Sequence, residues 1–164
     1  MNKNTFHLAI VLVAAVSAAA QSSPQIVTPE DGKNAIKEMG RAAVEQVLRT
    51  QQEAWNRHDL DGFMAGYLNS PDLTFFSGAK EASGWQATLD RYKATYDSPG
   101  HEMGRLEFSD LRIEMLGYDA AFVRGAWQLT LSDGKKPHGL FTLVFRRMIN
   151  GWKIVHDHTS AAAE

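Results

Sequence analysis

The chain has 164 residues, 19 acidic and 17 basic side chains, a formal net charge of −2 and no cysteine. Its length suits one domain. Because basic residues are neither in surplus nor clustered, the composition argues against a nucleic acid partner. The lack of cysteine excludes disulfides, a cysteine nucleophile and a lipoprotein anchor, so stability has to come from a hydrophobic core.

The first twenty residues have the pattern of a secretory signal peptide. Lys3 supplies a positive charge, residues 6–16 form an apolar stretch, and residues 18–20 are small alanines before a cleavage point at Gln21. The apolar stretch of 11 residues is well short of the roughly 20 needed to span a bilayer. We therefore expect a periplasmic or secreted protein that makes no membrane contact after signal cleavage.

Residues 21–40 are expected to form a flexible lead-in or a short helix. Thr28 can cap a helix that begins at Pro29, and Gly40 weakens the prediction of one long unbroken helix. From Arg41 onward, apolar residues recur three and four apart until about Asn56, which predicts a helix with one buried face. A short second helix should follow, carrying residues 60–67.

The remaining pattern predicts one strand, one helix and then four strands. Residues 73–77 form the first strand, 78–84 a loop and 85–96 a third helix. The four further strands are residues 105–116, 120–131, 140–148 and 152–159, joined by tight turns. Helices followed by an antiparallel meander predict an α+β domain with helices on one face of a curved sheet, over residues 41–160, before a tail at 161–164.

Several strands are apolar on both faces. Phe122 opposes Val123 on one strand, and Val144 opposes Phe145 on the next. Since one face packs on the helices, the other needs a different cover. This pattern favours a homodimer formed through the sheet face.

The last strand changes character along its length. With a period of two, one face carries the following residues: Trp152, Ile154, His156, His158 and Ser160. Polar residues at the end of an apolar face predict a cavity there. His158, and less strongly His156, are candidates for catalytic acid or base near neutral pH. Both can also be hydrogen-bonded wall residues without a catalytic role, and Asp157 should face the other way unless a bulge intervenes.

The turn before this strand sets its pairing. If Asn150 and Gly151 form a two-residue turn, Phe145 should lie beside His156 and Leu143 beside His158. His138 then faces away and cannot complete a metal site, so we expect neither a metal nor another cofactor.

Other side chains are candidates for contact with a ligand. Aromatic rings suit a flat or apolar molecule, although several can be ordinary core residues. Arg124 lies in an otherwise apolar strand and needs an anionic partner or solvent. The ligand-binding candidates are Tyr67, Trp85, Tyr96, Arg124, Trp127 and Ser160. The chain lacks a glycine-rich phosphate loop and a Gly-x-Ser-x-Gly elbow.

Residues 54–63, 141–147 and 151–160 together resemble the SnoaL-like branch of the nuclear transport factor 2-like superfamily. The resemblance covers about residues 41–160. It implies a cone in which a strongly curved antiparallel sheet wraps around N-terminal helices, often as a dimer, with a pocket at the open end.

The closing strand also resembles that of the calcium/calmodulin-dependent protein kinase II association domain, which is an assembly module. Where that domain has a cavity arginine, this chain places Trp127, with Arg124 displaced. Ketosteroid isomerase, scytalone dehydratase, limonene epoxide hydrolase and polyketide cyclases share the cone and act through a cavity carboxylate or a carboxylate–histidine pair.

The expected function is therefore an exported homodimer that binds a small, partly apolar molecule. Because no carboxylate is predicted inside the cavity, binding ranks above catalysis. The alternatives are a cofactor-free isomerase, dehydratase or cyclase that uses a cavity histidine, and an oligomerisation module.

Overall fold

The computed structural model describes residues 28–162, in which three helices accompany a six-stranded sheet. The helices are α1 Pro29–Asn56, α2 Leu60–Met64 and α3 Trp85–Tyr96. The strands are β1 Thr74–Ser77, β2 Lys80–Ser83, β3 Arg105–Met115, β4 Ala120–Thr130, β5 His138–Met148 and β6 Gly151–Thr159. The predicted signal peptide, the first part of the lead-in and the last two residues of the tail lie outside the described residues. None of the three helices is long and apolar enough to cross a membrane.

Helix α1 is one unbroken helix. It begins with a capping box in which the Asp31 backbone N–H donates to the Thr28 hydroxyl and the Thr28 N–H donates to the Asp31 carboxylate. Gly40 does not interrupt it, because α1 lies close to the sheet there. A Cβ at Gly40 would be 2.7 Å from the Met115 methyl carbon. The helix that was predicted from residue 41 onward, with one buried face, is confirmed. It begins earlier than that, at Pro29.

The sheet has the strand order β2-β1-β6-β5-β4-β3. The predicted meander of β3 to β6 is confirmed as antiparallel, and β1 pairs in parallel with β6. The expected loop at 78–84 instead contains β2, a short edge strand. Its residues are largely exposed, so it lacks the apolar alternation that identifies a strand. The α+β class and the curved sheet around N-terminal helices are as predicted.

A bulge in β3 contributes to the bend of the sheet. The β3–β4 register shifts between Ser109 and Arg112, and Asp110 adopts a φ of 51°. Across from the bulge is Gly125, where a Cβ would lie 2.9 Å from Leu111 Cδ2 and 2.5 Å from Phe141 Cζ. The sheet thus brings its side chains close together at this point, and only a glycine leaves room for them.

The core lies between α1 and the concave face of the sheet. Val44 and Leu48 of α1 are buried in one cluster with Phe145 and Ile154. The outer face is mixed: Phe122 and Val144 are half-buried, and Leu140 is 65% exposed. Helices α2 and α3 and the open end of the sheet then enclose a cavity.

Candidate functional site

A second bulge, in β6, determines which side chains face the cavity. Phe145 pairs with Ile154, but Val144 pairs with His156, so Val155 is the extra residue. The turn consists of residues 149 and 150, since Met148 pairs with Gly151. The expected pairings of Phe145 with His156 and of Leu143 with His158 are therefore wrong, and Leu143 pairs with Asp157 instead. On its other side, β6 also changes neighbours here, from the segment around Tyr67 to β1.

Beyond the bulge, Asp157 and Thr159 face the cavity. His156 and His158 lie on the opposite face from Ile154, so their expected position on the cavity face is wrong. His156 Nδ1 lies 2.6 Å from the Thr74 hydroxyl. Burial, and secondly the charge of His158, lower the pKa of His156. A catalytic role for either imidazole remains a prediction that the cavity geometry does not support.

The cavity has a volume of about 190 Å³ and mainly aromatic walls. Rings from both layers enclose it, including Trp55 and Tyr92 from the helices and Phe75, Phe108 and Phe141 from the sheet. Phe108 and Phe141 meet edge to face with ring centroids 5.3 Å apart. Such walls favour a flat, partly apolar ligand.

Asp157 is the carboxylate of the cavity. It is 3% exposed, and two hydroxyls donate to it, Tyr67 Oη to Oδ2 at 2.7 Å and Thr159 Oγ1 to Oδ1 at 2.8 Å. Burial raises its pKa to about 6, although these two hydrogen bonds act in the lowering direction. A buried acid that titrates close to neutral pH inside a cavity is typical of a functional group.

Two tyrosines connect the carboxylate to helix α3. Tyr67 Oη lies 3.3 Å from Tyr92 Oη. Burial, followed by the nearby charge of Asp157, raises the pKa of both phenols well above the usual value. They therefore stay protonated at physiological pH and act as hydrogen-bond donors rather than bases.

Three of the ligand-binding candidates line the cavity, namely Tyr67, Tyr96 and Trp127. The other three do not. Trp85 is the first residue of α3, directly after Gly84. Its indole donates to the Met64 carbonyl at 3.1 Å and thereby anchors the start of the helix. Arg124 is exposed on the outer face, 3.5 Å from Glu114.

Ser160 is also outside this cavity. Its backbone oxygen accepts a hydrogen bond from the Trp127 indole at 3.0 Å, and its own N–H donates to the Leu140 carbonyl. It thereby holds the C-terminal segment against β5. Between residues 28 and 162 there is no group of three or more side chains that could hold a metal ion.

The sequence reasoning missed Asp157, Thr159 and Arg91. Strict alternation through β6 places Asp157 and Thr159 on the outer face, and the bulge at Val155 turns them toward the cavity. Arg91 lies next to Tyr92 on α3, the helix whose Tyr92 and Tyr96 line the cavity. Its guanidinium carbon is 5.4 Å from the centroid of the Phe75 ring. The available signal was a pair of cations, Arg91 and Lys93, that flanks Tyr92 on this helix.

A family model described as a SnoaL-like domain matches residues 44–164. The chain belongs to the SnoaL-like domain family. No curated protein matches it. The resemblance stated from the sequence is confirmed, and the fold is the cone of the nuclear transport factor 2-like superfamily.

Solved structures agree with this SnoaL-like assignment. An NTF-2 like protein of unknown function from Shewanella oneidensis MR-1 is 38% identical, with 73% of this chain and 98% of that chain covered and a TM-score of 0.67. A ketosteroid isomerase-like protein from Erwinia carotovora atroseptica is 20% identical, with 75% and 96% covered and a TM-score of 0.61. A protein from Thiobacillus denitrificans, named for the calcium/calmodulin-dependent protein kinase type II association domain, is 23% identical, with 73% and 94% covered and a TM-score of 0.61. The last two show the fold alone.

Proposed function

We propose that this SnoaL-like protein binds a compact, partly apolar molecule in its cavity and that Asp157 removes a proton from it. The observation that carries the proposal is the buried carboxylate of Asp157, whose pKa is raised to about 6 within aromatic walls. General bases work best when their pKa lies near the operating pH. The binding of a small molecule and isomerase-type chemistry are both functions that this fold suggests.

The size of the cavity limits the ligand. Its volume of about 190 Å³ is somewhat larger than that of an engineered apolar cavity of about 150 Å³ that binds benzene. It is smaller than the roughly 300–1,000 Å³ of sites for drug-sized ligands. A molecule with one ring, or an unsaturated chain of similar size, fits these limits.

The hydrogen bonds of Asp157 suit proton transfer. Tyr67 and Thr159 each hold one carboxylate oxygen, so the group is fixed in position while its free lone pairs remain available. In the proposed reaction a C–H bond of the ligand breaks and its proton moves to Asp157. The electron pair shifts into an adjacent unsaturated bond, and the proton returns to another carbon. The product is an isomer, and no cofactor is needed for the balance.

The test begins with ligand discovery. Native mass spectrometry of the protein purified from a bacterial host would detect a retained molecule, and a panel of one-ring compounds would be screened by nuclear magnetic resonance. With a turned-over compound in hand, kcat should rise as the pH rises through about 6, because the base must be ionised. Asp157→Asn should lower kcat by at least about a hundredfold and still bind the compound.

Two further variants make this test specific. Glu107→Gln, an exposed change on β3, should leave kcat unchanged. His158→Gln tests the sequence-based alternative, because it removes an imidazole that lies outside the cavity. Loss of turnover in that variant, with turnover intact in Asp157→Asn, would overturn the assignment of the base.

We also propose that the protein is exported, which the signal-peptide pattern of residues 1–20 supports. Expression of the full chain in a bacterial host should give a periplasmic or secreted product that begins at Gln21. Intact-mass measurement of that fraction checks the cleavage point. A product that retains Met1 and stays in the cytoplasmic fraction would contradict the proposal.

A further inference from the structure

Arg91 brings a positive charge to the wall of the cavity. Arg91 lines the cavity together with three other residues of helix α3, namely Tyr92, Thr95 and Tyr96. The side chain is half-buried, and its guanidinium lies over the ring of Phe75. The aromatic face holds the planar group in one orientation.

Within residues 28–162, this guanidinium has no anionic partner. The ion pairs of that part of the chain involve other cations, for example Arg41 with Glu38 and Arg124 with Glu114. The guanidinium of Arg91 also donates no hydrogen bond there. A cation that is partly withdrawn from solvent is stabilised when an anion comes to it. The arrangement therefore leaves the fork of donors on Arg91 available to a ligand.

Asp157 and Arg91 reach the cavity from neighbouring elements without pairing. Phe75, which Arg91 covers, is the register partner of Asp157 between β1 and β6. The Asp157 carboxylate is held by the hydroxyls of Tyr67 and Thr159, and within residues 28–162 no hydrogen bond or ion pair joins it to Arg91. A ligand can thus meet a cation at one point of the wall and a carboxylate at another.

We propose that Arg91 binds a carboxylate group of the ligand, so that the substrate class is a compact aromatic or unsaturated monocarboxylate. The inference rests on the proposed function. A planar carboxylate matches the guanidinium fork with two parallel hydrogen bonds. One negative charge balances one cation, whereas the second charge of a phosphate monoester would remain unpaired beside Phe75 and Tyr96.

The pairing also favours the proposed chemistry. When Asp157 removes a proton from the ligand, the electron pair moves toward the unsaturated system that bears the carboxylate. A fixed cation at that end stabilises the developing negative charge. Arg91 thus selects the substrate and supports the proton transfer, while Asp157 accepts the proton.

The test compares benzoate with benzamide, two probes of nearly equal size that differ in charge. Titrations of the full chain, followed by nuclear magnetic resonance, give a dissociation constant for each. Wild type should prefer benzoate by about tenfold or more, as expected for a hydrogen bond between charged groups. Arg91→Gln should abolish the preference, and Arg91→Lys should retain part of it.

Matched variants separate the inference from the proposed function. Arg57→Gln changes an exposed arginine at the end of α1 and should keep the full preference. Asp157→Asn should lose turnover and still prefer benzoate at least as strongly as wild type does, because the change removes a negative charge from the cavity. Circular dichroism melting of Arg91→Gln confirms that the variant is folded before its affinity is compared.

Four results would count against the inference. Equal affinity of wild type for both probes, or an unchanged preference in Arg91→Gln, overturns the role of Arg91 and leaves Asp157 chemistry standing. Tighter binding of phenyl phosphate than of benzoate overturns the carboxylate class. If neither probe shows saturable binding up to its solubility limit, both the cavity assignment and the inference are overturned.

Discussion

At the scale of single residues, Asp157 makes the site and also reduces stability. Its pKa is about 6 in the folded chain against an ordinary value of 3.8, so the folded state binds the proton more tightly than the unfolded state does. The contribution of Asp157 to stability is therefore largest below the ordinary pKa of 3.8 and falls as the pH rises from there through about 6. The full shift corresponds to about 3 kcal/mol.

Asp157→Asn should consequently stabilise the protein at pH 8 by up to about 3 kcal/mol, and the gain should shrink toward pH 4. Urea unfolding at both pH values measures the difference. Thr159→Val, which removes one donor to the carboxylate, should instead lower stability at pH 8. A destabilised Asp157→Asn at pH 8 would contradict the raised pKa.

Tyr67 has a measurable effect on the same group. Its hydroxyl donates to Asp157 and acts to lower the pKa of that carboxyl. Tyr67→Phe removes the donor and should raise the pKa of Asp157 above 6. Carbon-13 titration of the carboxyl resonance measures the change, with Tyr118→Phe, an exposed tyrosine at the β3–β4 turn, as the control. An unchanged titration midpoint would exclude a role for Tyr67.

At the scale of elements, the bend of the sheet depends on a close contact. Gly125→Ala would place a methyl group against Leu111 and the buried ring of Phe141, and should cost about 1–3 kcal/mol. Gly32→Ala in α1 meets nothing within 4 Å and should gain about 0.5–1 kcal/mol. Denaturant unfolding should thus show opposite signs for the same chemical change, and equal effects would refute the steric explanation.

At the scale of the whole molecule, the sequence-based homodimer is a proposal about the outer face of the sheet. Leu140, 65% exposed on that face, should lie within the interface. Leu140→Glu would place like charges across the twofold axis and should weaken dimerisation by at least tenfold. Tyr118→Glu, away from the sheet face, should have no effect. Sedimentation velocity distinguishes these outcomes, and a wild-type monomer at micromolar concentration would contradict the proposal.

Local patterns were enough to predict most of the fold. The stripe from Val44 to Trp55 has a helical period, and tight turns separate the β-branched and aromatic runs of β3, β4 and β5, so local sequence reveals these elements. The β6 bulge depends on which segments flank the strand, Tyr67 first and β1 afterwards. Periodicity carries no trace of those neighbours, and for that reason the cavity carboxylate was assigned to the wrong face.

Because of the β6 bulge, the position of a side chain along the strand can change while the face on which it lies stays the same. Deleting Val155 would restore simple alternation after Ile154, and Asp157 would still face inward. The carboxylate would, however, shift along the strand by about 3.3 Å, the rise of one residue. A change of one residue in length at this position can therefore move the acid toward or away from the cavity mouth without exchanging it for a histidine.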